Sequence, residues 1–372
     1  MDRLIGKIEG DGAVTVVFTA AIHGNEPSGY HALKRLFDGY SGESIQGSVY
    51  GLIGNVGAFE QDVRFLEKDL NRIWTVDAAQ EIEAGTKTLS TTFDEDREQV
   101  ELYAQVKEIM SQAEGELIFV DLHSVSSETC PFITINDTLR NRRLSKKIGV
   151  PIVLGLEEYI RGSFLNRVNR LGYTAIGFEG GNHRAANTVQ NQYAFIHLIL
   201  QYTGVMNLSH QDLQHHHNQL SSSLKSSFYE VRFRQVIEPK EVFVMEPGYA
   251  NFDFIEVNEH LARLNNSPVA APFRGRILMP LYQPKGNDGF FIVRPILGVA
   301  LWLSARLRKL PWSPLLRCLP GVRRVQNRPG RLQVNRRIAR FLVIPLFHLL
   351  GFQCRHQTQD YLVFDPREIN PV

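Results

Sequence analysis

Short β-branched runs alternate with amphipathic stretches through residues 1–205, a pattern that predicts an α/β architecture. Residues 14–22 (VTVVFTAAI) read as a buried strand. Pro27 suits a helix start, because proline lacks only an amide that would be orphaned there, and residues 30–37 continue that helix. Residues 48–54 form the next strand. In 97–113, Val100, Leu102, Tyr103, Val106, Ile109 and Met110 recur at helical spacing, which predicts a helix leading into a strand at 117–121. Further strands are expected at 132–136, 152–154 and 174–179, with helices at 138–147 and 186–202.

The pattern then changes. Residues 206–226 are polar and low in complexity, as in a linker or exposed loop. His215, His216 and His217 invite a metal reading, but consecutive side chains splay apart and a solvated linker is preferred. From 228 to 293, short β-like runs separated by Gly and Pro indicate a smaller β-rich domain. The expected organisation is a catalytic domain at 1–205, a linker at 206–226, a β-rich domain at 227–293 and a basic apolar tail at 294–372.

Composition refines this picture. With 43% hydrophobic and 22% charged residues, the 372-residue chain has the make-up of a folded, water-soluble protein. Cys130, Cys318 and Cys354 lie too far apart to suggest a disulfide framework or a CxxC metal site, so a reducing compartment is expected. The first apolar run follows Glu9 and Asp11 rather than a basic segment, which argues against a signal peptide and for a cytoplasmic protein.

The net charge of +2 conceals a split: residues 294–372 carry 14 Lys and Arg against 3 Asp and Glu. Such an appendage suits an anionic membrane, nucleic acid or an acidic partner. Aromatic interleaving is sparse, so nucleic acid is not expected. The tail's apolar stretches, 295–305 and 341–352, are about half the roughly 20 residues of a membrane-spanning helix. Two roles remain open for the tail, peripheral contact with anionic lipid or packing on the catalytic body.

Candidate chemistry lies at the strand ends. His23-Gly-Asn-Glu26 follows the first buried strand, and His123 follows another in Asp121-Leu122-His123. Two imidazoles and one carboxylate suit one catalytic zinc ion per chain and leave a coordination position open for water. Gly24 permits an unusual turn that brings His23 and Glu26 to one point. Taken alone, the pair is an ordinary polar loop. Glu179 ends an apolar strand in Gly177-Phe178-Glu179-Gly180, where a carboxylate is costly unless it serves a site, and a base for the attacking water is what such a hydrolase needs. A structural ion pair is the plain alternative. Arg64, Asn71 and Arg72 supply cations and an amide that suit a substrate carboxylate or an oxyanion, although loop arginines are usually solvated.

HGNE, KDLNRIW, DLH and GFEGG, in this order and separation, resemble the succinylglutamate desuccinylase/aspartoacylase family, relatives of the zinc carboxypeptidases. The resemblance covers about residues 14–290. It implies a zinc-carboxypeptidase-like mixed sheet flanked by helices, with a β-domain that walls the pocket. It also implies zinc on His23, Glu26 and His123, water activation by Glu179, carbonyl polarisation by Arg64, and a substrate carboxylate on Asn71 and Arg72. Two positions depart from the pattern. Where aspartoacylase-like members place a further Arg, this chain has Asn169, flanked by Arg167 and Arg170. Tyr282 is the counterpart of a tyrosine from the second domain. The basic tail lies outside the resemblance.

The expected activity is hydrolysis of an N-acyl amino acid or a similar small carboxylate-bearing amide. A carboxypeptidase-type metallopeptidase is the alternative among enzymes. A non-catalytic membrane- or partner-binding protein is the other, and loss of a ligand or of the base would mark it. Neither is missing.

Overall fold

The computed structural model describes residues 1–369 apart from 43–44, 89–93, 223, 225–226, 311, 326–329 and 340–342. Strands form where the apolar runs lie. In chain order they are β1 (Leu4–Ile8), β2 (Val14–Ala20), β3 (Gly47–Ile53), β4 (Leu117–Val125), β5 (Phe132–Ile135), β6 (Ile152–Leu154) and β7 (Thr174–Asn182). Then come β8 (Phe228–Val236), β9 (Phe243–Met245), β10 (Phe254–Ile255), β11 (His260–Leu264), β12 (Ser267–Ala270), β13 (Gly275–Leu278) and β14 (Asp288–Pro295). Eleven of them join in one mixed sheet of order β1-β3-β2-β4-β7-β5-β6-β8-β14-β13-β10, and β12-β11-β9 form a separate three-stranded sheet. The β-rich region thus extends the main sheet through the parallel pairing of β6 with β8.

β3, β2, β4 and β7 run parallel, so their C-terminal ends share one edge. Side chains alternate across a strand. Val16, Phe18 and Ala20 therefore meet Ala32 and Leu33 of the helix Ser28–Asp38 and Phe195 of the helix Thr188–Tyr202. Val17 points the other way, into a core with Leu102, Tyr103 and Val106 of the helix Asp94–Gln112. Burial on both faces is why β2 reads as a continuous apolar run, each buried side chain contributing roughly 1.5–3 kcal/mol. Phe178 of β7 stacks on Phe195 with ring centroids 3.8 Å apart, which fixes the strand beside Glu179.

Part of the stretch expected to be a linker or exposed loop is the helix His210–Leu220, capped by Ser209, whose side chain accepts from Asp212 N. Leu213 and Leu220 pack on the core, and histidine rings share that packing. His216 stacks on His197 with centroids 4.7 Å apart, and the Tyr202 hydroxyl lies 2.7 Å from His217 Nε2.

The tail folds too. β15 (Val322–Arg324), β16 (Leu332–Asn335), β17 (Phe352–Gln357) and β18 (Tyr361–Pro366) form a sheet of order β15-β16-β18-β17. Its core holds Leu332, Val334, Phe347, Phe352 and Phe364. The second apolar stretch packs here through Phe347, whereas Arg340, Phe341 and Leu342 lie outside the described residues. Arg308 pairs with Asp137 at 2.6 Å and Arg367 pairs with Glu157 and Glu158, joining tail to body. No described helix is long and apolar enough to cross a membrane.

Candidate active site

β2 ends at Ala20, and Ala21 takes a left-handed φ of 52°, turning the chain sharply into the His23 loop. Gly24 is required there for a reason other than an unusual turn. A Cβ at this position would sit 2.2 Å from the Ala58 carbonyl carbon, so only glycine lets the loop press on that backbone. Gly24 N also donates to Arg64 O at 3.2 Å, which draws the Arg64 segment to the same point. His123 and Glu179 are register partners across β4 and β7.

His23, Glu26 and His123 are buried and offer ligand atoms that all lie within 4.8 Å of one another. Nδ1 of His23 is 2.8 Å from Glu26 Oε1, and Nδ1 of His123 is 3.0 Å from Glu26 Oε2. The opposite ring nitrogens face outer carboxylates: His23 Nε2 lies 3.1 Å from Asp69 Oδ1, and His123 Nε2 lies 2.8 Å from Asp121 Oδ2. Asp121 is itself held by the Thr19 hydroxyl at 2.7 Å, and Asp69 accepts from Asn71 N at 2.9 Å. An outer carboxylate on each imidazole, with both inner nitrogens turned to one point, is how proteins orient histidine toward a metal.

The electrostatics agree with that geometry. Burial works against the charge of Glu26, yet the neighbouring His23 and His123 hold its pKa well below the usual carboxylate range. Burial opposes charging His123 as well, but Asp121 and Glu26 push its pKa well above the usual imidazole value. The surrounding carboxylates thus favour positive charge at this point. Glu179 behaves oppositely: burial, reinforced by Glu26 and Asp121 and partly offset by His123 and Arg64, lifts its pKa to about 8. Its Oε2 has no hydrogen-bond partner among the described residues.

A cleft of about 160 Å³ opens on this cluster. Arg64, Asn71, Arg72 and Glu179 line it on one side, with apolar Val125, Ile135, Leu156, Ile160, Leu165 and Phe291 elsewhere. Arg64 Nη2 is 2.9 Å from His23 Nε2 and 3.3 Å from Asp69 Oδ2. Asn71 Oδ1 accepts from Phe164 N at 2.9 Å, and Arg72 Nη2 donates to Asp288 Oδ2 at 2.9 Å. All seven residues singled out in the sequence therefore meet at one cleft.

Neither arginine beside Asn169 lines the cleft. Arg167 reaches Tyr103 and Glu83, and Arg170 faces Arg355 and Asp365 of the tail. Leu165 lines the cleft from the same helix. Tyr282 is turned to the β-rich region, donating to Glu246 O at 2.8 Å, while its neighbours Leu281 and Gln283 form part of the cleft wall. Sequence reasoning assigned no role to Asp69, Asp121 and Asp288. A signal existed for Asp121, which sits two residues before His123 and so on the same strand face.

Residues 13–201, more than half of the chain, match the succinylglutamate desuccinylase/aspartoacylase catalytic domain. The chain belongs to this family. Membership in the desuccinylase/aspartoacylase family implies an amide-hydrolysing deacylase acting on small acylated substrates. Solved structures share the fold at low identity. A succinylglutamate desuccinylase/aspartoacylase from Rhodobacter sphaeroides has 18% identity and a TM-score of 0.59, over 78% of this chain and 88% of that one. The product-bound ectoine utilization protein EutE (DoeB) from Ruegeria pomeroyi has 18% identity and a TM-score of 0.56, over 78% and 87%. An aspartoacylase family protein from Mesorhizobium loti has 17% identity and a TM-score of 0.54, over 78% and 87%. A search of curated proteins returned no match.

Proposed function

We propose that this desuccinylase/aspartoacylase family member hydrolyses the amide bond of an N-acyl amino acid or a similar small amide bearing a carboxylate. One zinc ion on His23, Glu26 and His123 and a general base at Glu179 complete the reading. The observation that carries it is a buried carboxylate, Glu179, with an unpartnered oxygen and in strand register with His123 of a three-ligand cluster.

The donor set fits the ion: two imidazoles held from behind by Asp69 and Asp121, and a carboxylate kept ionised between them. When bound, zinc supplies a Lewis acid that polarises a carbonyl and acidifies water. The protein residues do the rest. Glu179, its raised pKa drawn down by a cation held beside it, takes the proton of the attacking water and returns it to the leaving nitrogen, a role typically worth about 10²–10⁴ in rate. Arg64, at the edge of the cluster, faces the charge that develops on the carbonyl oxygen. Asp288 holds Arg72 in the wall of the cleft, where its guanidinium is placed to meet a substrate carboxylate.

Arg64 and Arg72 close to the cluster favour a free carboxylate near the scissile bond, as in an acyl amino acid. The test is turnover by zinc-loaded protein on N-acyl amino acids, their amide-capped analogues and short peptides. Hydrolysis confined to the free acyl amino acids is expected, and preference for peptides would move the activity to the carboxypeptidase type.

A further inference from the structure

The helix Gly298–Leu307 is turned inside out for a water-facing element. Val299, Trp302 and Leu303 are 67%, 59% and 40% exposed, and Arg306 is exposed beside them. These four positions follow the i, i+3, i+4, i+7 spacing of one helical face. The uncharged polar residue of the helix faces inward: Ser304 is 3% exposed and its hydroxyl donates to Leu349 O at 2.9 Å. An ordinary surface helix places these residue types the other way round. Leu297, Leu310 and Leu346 are exposed as well, so the apolar surface extends beyond a single residue.

We infer that this face docks on an anionic lipid surface. Charge complementarity selects the partner. From Gly289 to Gln359 the chain contains no Asp or Glu, while Arg306, Lys309, Arg323 and Arg324 are exposed. Arg308 and Arg367 are taken out of this account, since both are buried in ion pairs with the body. What remains at the surface is an apolar stripe and cations from a segment that contains no acidic residue, the composition of a segment that lies in the headgroup region. The Arg306 guanidinium sits 5.4 Å from the centre of the Trp302 ring, pairing an apolar ring with a charge as interfacial tryptophans do. A ten-residue helix is about 15 Å long, which suits lying in the interface and not crossing it. The second apolar stretch takes the other role foreseen for the tail, since Phe347 is core.

The test is co-sedimentation of the full chain with vesicles of phosphatidylcholine alone or mixed with phosphatidylglycerol. The wild-type protein is compared with Trp302→Ser/Leu303→Ser and with Arg306→Glu/Lys309→Glu, none of which touches the catalytic cleft. Binding is expected only to the mixed vesicles, weakening with salt, with each double variant losing roughly tenfold or more in partitioning. Trp302 emission should shift to the blue on binding, while catalytic turnover stays unchanged in both variants. The inference is overturned by no binding to mixed vesicles at low salt, by equal binding to neutral vesicles, or by variants that bind like wild type. It is also overturned if the serine variant instead dissolves a dimer, or if the basic face retains nucleic acid and no vesicles.

Discussion

Arg367, near the C-terminal end of the chain, buries its guanidinium against Glu157 and reaches Glu158 at 2.5 Å. Both carboxylates belong to the short helix Leu156–Tyr159, and Leu156, Glu157 and Ile160 line the cleft. The basic tail is therefore tied at Arg367 to the wall of the cleft.

Replacing Arg367 with alanine leaves the buried Glu157 without its cation and Glu158 with His348 alone, which should cost about 3–5 kcal/mol of stability. Because the affected segment lines the cleft and is remote in sequence from the ligands, KM should rise more than kcat falls, and Arg367→Lys should restore part of both. Denaturant unfolding and steady-state kinetics on the two variants check this.

Stability should peak between two limbs set by the joint of tail and body. Burial opposes charging His348, but Glu158 at 3.1 Å and Glu230 at 3.4 Å raise its pKa, so its contribution is complete below the unfolded value of about 6.5 and is lost as pH rises through the folded one. Asp137 is the converse: burial opposes its charge, Arg308 and Arg142 hold its pKa low, and its contribution is lost as pH falls below about 3.9. Melting temperatures across this range should trace both limbs. His348→Gln should flatten the alkaline one only.

Asp121→Asn keeps all three candidate ligands yet removes the carboxylate behind His123. Zinc affinity should fall about 10–100-fold, as measured by competition with a chelator. An unchanged affinity would show that Asp121 does not orient this ring for an ion.

Arg72→Ala should lower kcat/KM more for substrates with a free carboxylate than for amide-capped ones. Equal losses would place Arg72 in the wall as the partner of Asp288 alone.

The strands carrying the site were legible because β2, β4 and β7 each open with a mainly apolar run, and the candidate site residues stand where those runs end. Their parallel order was not written in the runs themselves. It follows from pairings such as Ala20 with Leu122 and Leu122 with Phe178, which join distant segments. The partner of Arg72 was hidden for the same reason, as Asp288 lies in the β-rich region. The helix His210–Leu220 escaped notice because only Leu213 and Leu220 mark its apolar face and the rest of its packing is shared by His216 and His217. The joint at Arg367 could not be read either, since an arginine in a basic tail looks like any other until its buried acids are known.

Glu179 as the base beside a zinc ion makes two demands on one preparation, on its metal content and on its turnover. Zinc content and hydrolysis of N-acyl amino acids are determined on the same preparations of wild-type protein and Glu179→Gln. The account predicts about one zinc per chain in both and a fall in kcat of roughly 10²–10⁴ in the variant, since the amide is nearly isosteric but cannot accept the proton. Near-normal turnover by Glu179→Gln, or wild-type protein that hydrolyses these substrates with no metal bound, would contradict it.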